Sequence, residues 1–173
     1  IYLAPGKQTL DIDASKSNEL NPVDGLTKEN EILKKLADLN ENVFNLRARR
    51  GDIFNVGKDT VASSVYQKLT DYATTLENEV AEVDDQLRQR AIQDIRIQAL
   101  MAYMNQYFGN YRRGSETLKK EWDDAYAQML DFANVSQAES VFSPAFADVV
   151  SNMAGIDIFM KHERRTNDDN ERN

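Results

Sequence analysis

The sequence predicts an all-α protein, an elongated antiparallel helical bundle around one long helix of about 50 residues. Residues 58–108 contain neither Gly nor Pro, and apolar residues recur along them every three to four positions, which is the period of a helix. Such a helix is roughly 75 Å long, whereas a compact domain of this size is only about 40 Å across. We therefore expect a rod-shaped molecule, or one that shares this helix with a partner.

Three regions follow from the pattern along the chain. Residues 1–26 lack helical periodicity and contain Pro5-Gly6, so we expect an extended arm with a brief strand at Thr9 to Ile12. Residues 27–160 form the predicted helical bundle. Residues 161–173 are polar and charged, which predicts a disordered tail.

Two principal helices open the bundle. The first is predicted from Thr27 to about Arg50, because its apolar residues step alternately by four and three positions. The long helix follows from near Asp59. Its apolar register changes once, where one extra residue stands between Leu76 and Val80, a stutter in the seam.

A third principal helix, from Ser115 to Ala133, and two short helices are predicted toward the end of the chain. Ser115 is the N-cap expected for the first of them, and Ser136 with Glu139 forms a predicted capping box for the second. A final helix starts after Ser143-Pro144, and we expect Gly155 to weaken or end it.

Composition excludes several classes of function. A net charge of −8 argues against nucleic-acid binding, which requires an excess of Lys and Arg. The chain has no Cys, so disulfides and zinc–thiolate sites are excluded. Fully apolar runs are only a few residues long, and we therefore expect no membrane span.

The residues for catalysis are also scarce. The single histidine, His162, stands in a charged segment, so neither a Ser-His-Asp triad nor a site with two histidine ligands can be built. A Gly-rich phosphate loop is missing from the sequence. We expect no enzyme activity, no cofactor and no metal.

Arg50-Gly51-Asp52 is the sharpest short motif. On an exposed loop, this tripeptide can offer a guanidinium and a carboxylate to an integrin-type receptor. The simpler interpretation makes Gly51 a helix C-cap that follows basic residues in the last turn.

Arg90 and Asp94 stand four residues apart where the apolar seam should continue. In one interpretation, Ala91 and Ile95 carry the seam and the charged pair faces solvent. In the other, the pair forms a polar layer that binds a partner helix and fixes its register.

Tyr103, Tyr107 and Tyr111 belong to the richest aromatic region of the chain. They either pack at one end of the bundle or form a protein-binding surface, because Tyr is favoured at interfaces. Cover from the same chain looks thinnest between Leu87 and Tyr111, so we expect a partner there.

These patterns favour a structural or assembly protein, a helical component of a larger complex such as a virion or a secretion apparatus. Its expected partners are copies of itself, other subunits, or both. The alternative is an exported helical adhesin, similar to a minor pilin, that displays Arg50-Gly51-Asp52. Ile1 is not an initiator, so we expect a segment to precede it, and we favour a particle-associated or exported location.

Overall fold

The computed structural model describes residues 10–12, 20–22, 31, 32, 34, 61–111 and 114–171. These residues are mostly helical, which confirms the all-α class. The helices are α1 (Ala62–Glu79), α2 (Asp85–Tyr111), α3 (Glu116–Ala133) and α4 (Phe146–Glu171), with a 3₁₀ helix (Ala138–Phe142) between α3 and α4.

Two short strands lie near the start of the chain. β1 (Leu10–Ile12) pairs antiparallel with β2 (Leu20–Pro22), and Asp11 is opposite Asn21. The brief strand expected near Thr9 to Ile12 is therefore present. Of the first predicted helix, residues 31, 32 and 34 are helical, and Ile32 packs against the core. Its other residues lie outside the described part of the chain.

The predicted 50-residue helix is wrong, because the chain breaks at residues 80–84 into α1 and α2. Asp84 causes the second helix to restart, since its Oδ1 accepts hydrogen bonds from the backbone N–H groups of Gln86 and Leu87 at 3.0 and 3.3 Å. Val80 and Val83 are both buried on either side of this turn. The stutter in the sequence thus marks a break, which lets both valines reach the core.

α2 is the central helix. It contacts α1, α3, the 3₁₀ helix and α4, and no residue from Ala91 to Met104 is exposed. Buried and half-buried positions alternate along most of this stretch, so neighbouring elements cover α2 on most sides. The expectation of thin cover between Leu87 and Tyr111 is therefore wrong, because other helices of the same chain supply that cover.

Side-chain contacts give the direction of the neighbouring helices. α3 runs antiparallel to α2, because Gln93 contacts Ala133 while Tyr103 contacts Trp122. α1 also contacts α3, so the three helices meet around one core.

α4 runs parallel to α2 from the 3₁₀ helix onward. The Ser143 hydroxyl, which precedes α4, donates to Asp94 in the first half of α2. Further along α4, Phe159 packs against Tyr111 at the end of α2, with ring centroids 5.6 Å apart.

Of the two helix caps predicted from the sequence at Ser115 and Ser136, one is present in the structure. The side chain of Ser115 accepts from the Leu118 N–H at 3.4 Å, which confirms the predicted N-cap of α3. The capping box is wrong, because the 3₁₀ helix begins after Gln137 without a side-chain cap. α3 ends at Asn134, whose φ of 43° is the left-handed conformation that terminates many helices.

α4 continues through Gly155 and reaches Glu171. The prediction that Gly155 ends the helix is therefore wrong. The disordered tail expected from Lys161 stays a prediction. Burial of Val149 and Ile156 holds the first half of α4 on the core. The later residues contain no Pro, so an already formed helix can propagate into them at low cost.

We expect Gly155→Ala to stabilise the protein by about 0.5–1 kcal/mol, because Ala loses less backbone entropy than Gly in a helix. A Cβ at position 155 would lie 3.9 Å from Cζ of Phe108, an ordinary contact. At Gly114 a Cβ would lie only 3.1 Å from Cβ of Leu118. This tight contact offsets the gain in stability, so Gly114→Ala is the matched control. Urea denaturation measures both free energies, and a loss of stability in Gly155→Ala would contradict the prediction.

Candidate functional site

An aromatic cluster fills the space between the second half of α2 and the first half of α3. Tyr103 and Tyr107 of α2 are fully buried, as is Trp122 of α3. The Tyr103 ring lies 5.5 Å from that of Trp122, and the Tyr107 ring lies 5.4 Å from that of Tyr126. Such pairs contribute about 0.5–1.5 kcal/mol each beyond the area they bury.

The phenols inside this cluster are hydrogen-bonded. Tyr103 donates to the backbone carbonyl of Trp122 at 2.9 Å, and Tyr107 donates to the Asp123 carboxylate at 2.6 Å. Burial, followed by the negative charge of Asp123, raises the pKa of both phenols. The two tyrosines are therefore neutral donors that join α2 to α3.

The three tyrosines of the predicted partner surface lie inside the chain. Tyr111 is also buried, and its ring stacks on that of Tyr107 with centroids 5.0 Å apart. Of the two interpretations, the structure agrees with packing inside the bundle, because α3 and α4 cover these side chains.

Arg90 and Asp94, the charged pair at the seam, contact the 3₁₀ helix and the residue that follows it. Ala91 and Ile95 are buried and carry the apolar seam, while Arg90 is exposed. Asp94 accepts a hydrogen bond of 2.6 Å from the Ser143 hydroxyl. The Arg90 guanidinium lies over an aromatic ring, 4.4 Å from the centroid of Phe142. Both side chains thus contact the segment that links α3 to α4.

Gln93 is a buried polar residue that the sequence pattern did not reveal. It is 1% exposed, and its amide nitrogen lies 2.8 Å from the Ala133 carbonyl and 2.9 Å from Oγ of Ser140. Its Oε1 has no hydrogen-bond partner among the described residues. The only sequence signal was its position between Arg90 and Asp94, inside a stretch that is otherwise apolar on one side.

Arg96 joins three helices on another side of α2. Its guanidinium makes two hydrogen bonds, of 2.7 and 3.0 Å, to the Glu77 carboxylate of α1. It also lies over the Phe132 ring of α3, 5.2 Å from the centroid. The hydrogen bond to Glu77 is the main cause that raises the pKa of Arg96, so this residue stays charged.

Two exposed apolar patches lie on the segment and helix that follow α3. The Phe142 patch consists of Val141 and Phe142, 61% and 59% exposed, together with Arg90. The α4 face contains Val150 and Ile158, 45% and 68% exposed, with Ala154 exposed between them. Of the residues in these patches, the sequence pattern points only to Arg90 as a candidate for partner binding.

The remaining candidate features from the sequence are a tripeptide motif, a histidine, metal sites and membrane spans. Arg50-Gly51-Asp52 and the side chain of His162 lie outside the described residues. Within the described ranges, no group of three or more His, Cys, Asp or Glu is placed to hold a metal ion. No helix within those ranges is both long and apolar enough to cross a bilayer.

Comparison with known proteins gave no match: no family model fits the chain, and neither a curated protein nor a solved structure is similar to it.

Alkaline pH should destabilise the protein through the aromatic cluster. Burial and the nearby Asp157 raise the pKa of Tyr126 from 10.0 to about 12. The folded state therefore holds its proton more tightly than the unfolded state, so this contribution is complete below pH 10.0 and is lost as the pH rises to about 12. We expect the unfolding free energy of Tyr126→Phe to fall less steeply over this range. Equal slopes for the variant and the wild type would contradict this explanation.

Removing the Asp94 carboxylate should loosen the 3₁₀ helix. We expect Asp94→Ala to cost about 1 kcal/mol, because the Ser143 hydroxyl loses its acceptor, and to speed hydrogen exchange in residues 138–146. Asp124→Ala on α3 is the control, since that side chain is exposed. Unchanged exchange in Asp94→Ala would show that the hydrogen bond does not hold the segment.

Proposed function

We propose that this chain is a non-enzymatic structural or assembly protein, a helical component of a larger complex whose partners are copies of itself, other subunits, or both. The observation that carries the proposal is the exposure of large apolar side chains in the Phe142 patch and on the α4 face. Apolar patches on a protein surface mark sites of protein interaction when they are contiguous.

The α4 face departs from an ordinary solvent-facing helix. Val149 and Ile156 are buried on the core side of α4, and the opposite side of such a helix normally carries charged residues. Here Val150, Ala154 and Ile158 are exposed beside the charged side chains of Asp157 and Lys161. A second apolar side on a helix that already packs on the core favours a partner on that side.

The length of the helices bears on the shape of this component. α2 and α4 contain 27 and 26 residues, which gives each a length of about 40 Å. Phe159 of α4 packs against Tyr111, the last residue of α2, and α4 then continues to Glu171. The elongated bundle expected from the sequence stays part of this proposal, and it would offer long sides to neighbouring subunits.

Site-specific photo-crosslinking in the cells that make the protein tests this function. A photoreactive side chain at position 158 or 142 should capture neighbouring proteins, which mass spectrometry identifies. The same group at Thr74, an exposed position of α1, is the control and should capture none.

The outcomes separate the possible partners. Products that contain this chain alone indicate self-assembly, and products with one recurrent other protein indicate a mixed complex. If positions 158 and 142 give no more product than position 74, the assembly function is wrong.

A further inference from the structure

The two apolar patches differ in charge. Beside the Phe142 patch stands a cation, because Arg90 is exposed and its guanidinium lies 4.4 Å from the centroid of the Phe142 ring. Arg90 has no carboxylate partner among the described residues. In a chain with a net charge of −8, this arrangement favours a partner that places a carboxylate next to an apolar side chain.

The α4 face has that composition. Asp157 lies seven residues after Val150 and next to Ile158, so its carboxylate stands at the edge of the same side of the helix. Asp157 forms an ion pair with Lys161, with Oδ2 and Nζ 2.5 Å apart. The side chains of Asp157 and Lys161 are 62% and 67% exposed. Ion pairs as exposed as this contribute little, so Asp157 can exchange this partner for another cation.

We propose that the Phe142 patch of one copy binds the α4 face of a second copy, with Arg90 paired to Asp157 across the contact. The proposal rests on the proposed assembly function and names the partner as this chain itself. Val141 and Phe142 would then bury their exposed surfaces against Val150 and Ile158. Arg and aromatic residues together are the composition that protein interfaces favour.

Because each copy carries both patches, one contact can be repeated. If two copies are related by a twofold axis, each patch meets its counterpart and the contact forms twice; otherwise, successive copies form a ring or a filament. A single contact is small compared with a standard stable interface. Two contacts formed together strengthen each other. Reversible association of copies increases with concentration by mass action.

Sedimentation velocity over a range of concentrations, with charge-swap variants, tests the proposal. The wild type should associate increasingly as its concentration rises. Arg90→Glu and Asp157→Arg should each weaken association about tenfold or more, because like charges then face each other. The double variant should restore it, because the pair is re-formed with reversed signs. Phe142→Ser, at an exposed position that leaves the core intact, should also weaken association.

Matched controls carry the same change of net charge at other exposed positions, namely Lys68→Glu on α1 and Asp124→Arg on α3. They should associate like the wild type, and circular dichroism should show that every variant is folded. A wild type that stays monomeric at all concentrations, or a double variant that does not recover, overturns the proposal. If the wild-type protein does not self-associate but still crosslinks to another protein through position 158, the assembly function stands and only self-pairing is wrong.

Discussion

The buried amide of Gln93 is the contact on which the arrangement around α2 depends. Its nitrogen lies within 3.3 Å of the carbonyls of Ala133 and Asn134 and of Oγ of Ser140. These atoms belong to the end of α3, the turn after it and the 3₁₀ helix. Burying an amide costs free energy unless it is hydrogen-bonded. The nitrogen avoids this cost only when these elements are in place, while Oε1 has no partner among the described residues. A polar group of this kind selects one arrangement of the helices over other apolar packings.

Neighbouring polar residues of α2 also fix the positions of the elements around it. Asp94 holds Ser143, Arg90 contacts Phe142, and Arg96 holds Glu77 of α1. Apolar packing at Ala91 and Ile95 brings the helices together without fixing their positions closely. The hydrogen bonds and ion pairs, which act over short distances and defined angles, set the position of each neighbour.

The helical class could be predicted from the sequence because apolar periodicity is a local property of the chain. The break at residues 80–84 could not, since Val80 and Val83 continue an apolar pattern while Asp84 supplies the N-cap. Periodicity shows which residues are buried, and it does not show whether a helix bends to bury them. The same limit explains Gln93, because a pattern of apolar residues assigns a polar side chain to the surface.

The candidate surfaces were missed for a related reason. Tyr103, Tyr107 and Tyr111 have the composition of an interface, and only their contacts with α3 and α4 show that they belong to the core. The 3₁₀ helix buries Ser140 and exposes Phe142, the reverse of what hydrophobicity predicts.

Polar contacts explain this reversal. Ser140 and Ser143 are drawn inward by Gln93 and Asp94, and a segment this short cannot also turn Val141 and Phe142 toward the core. The exposed Phe142 patch is therefore a consequence of the buried hydrogen bonds beneath it. Its position on the surface is fixed by the same α2 residues that set the packing of α3 and α4, so the interior and the proposed contact surface depend on each other.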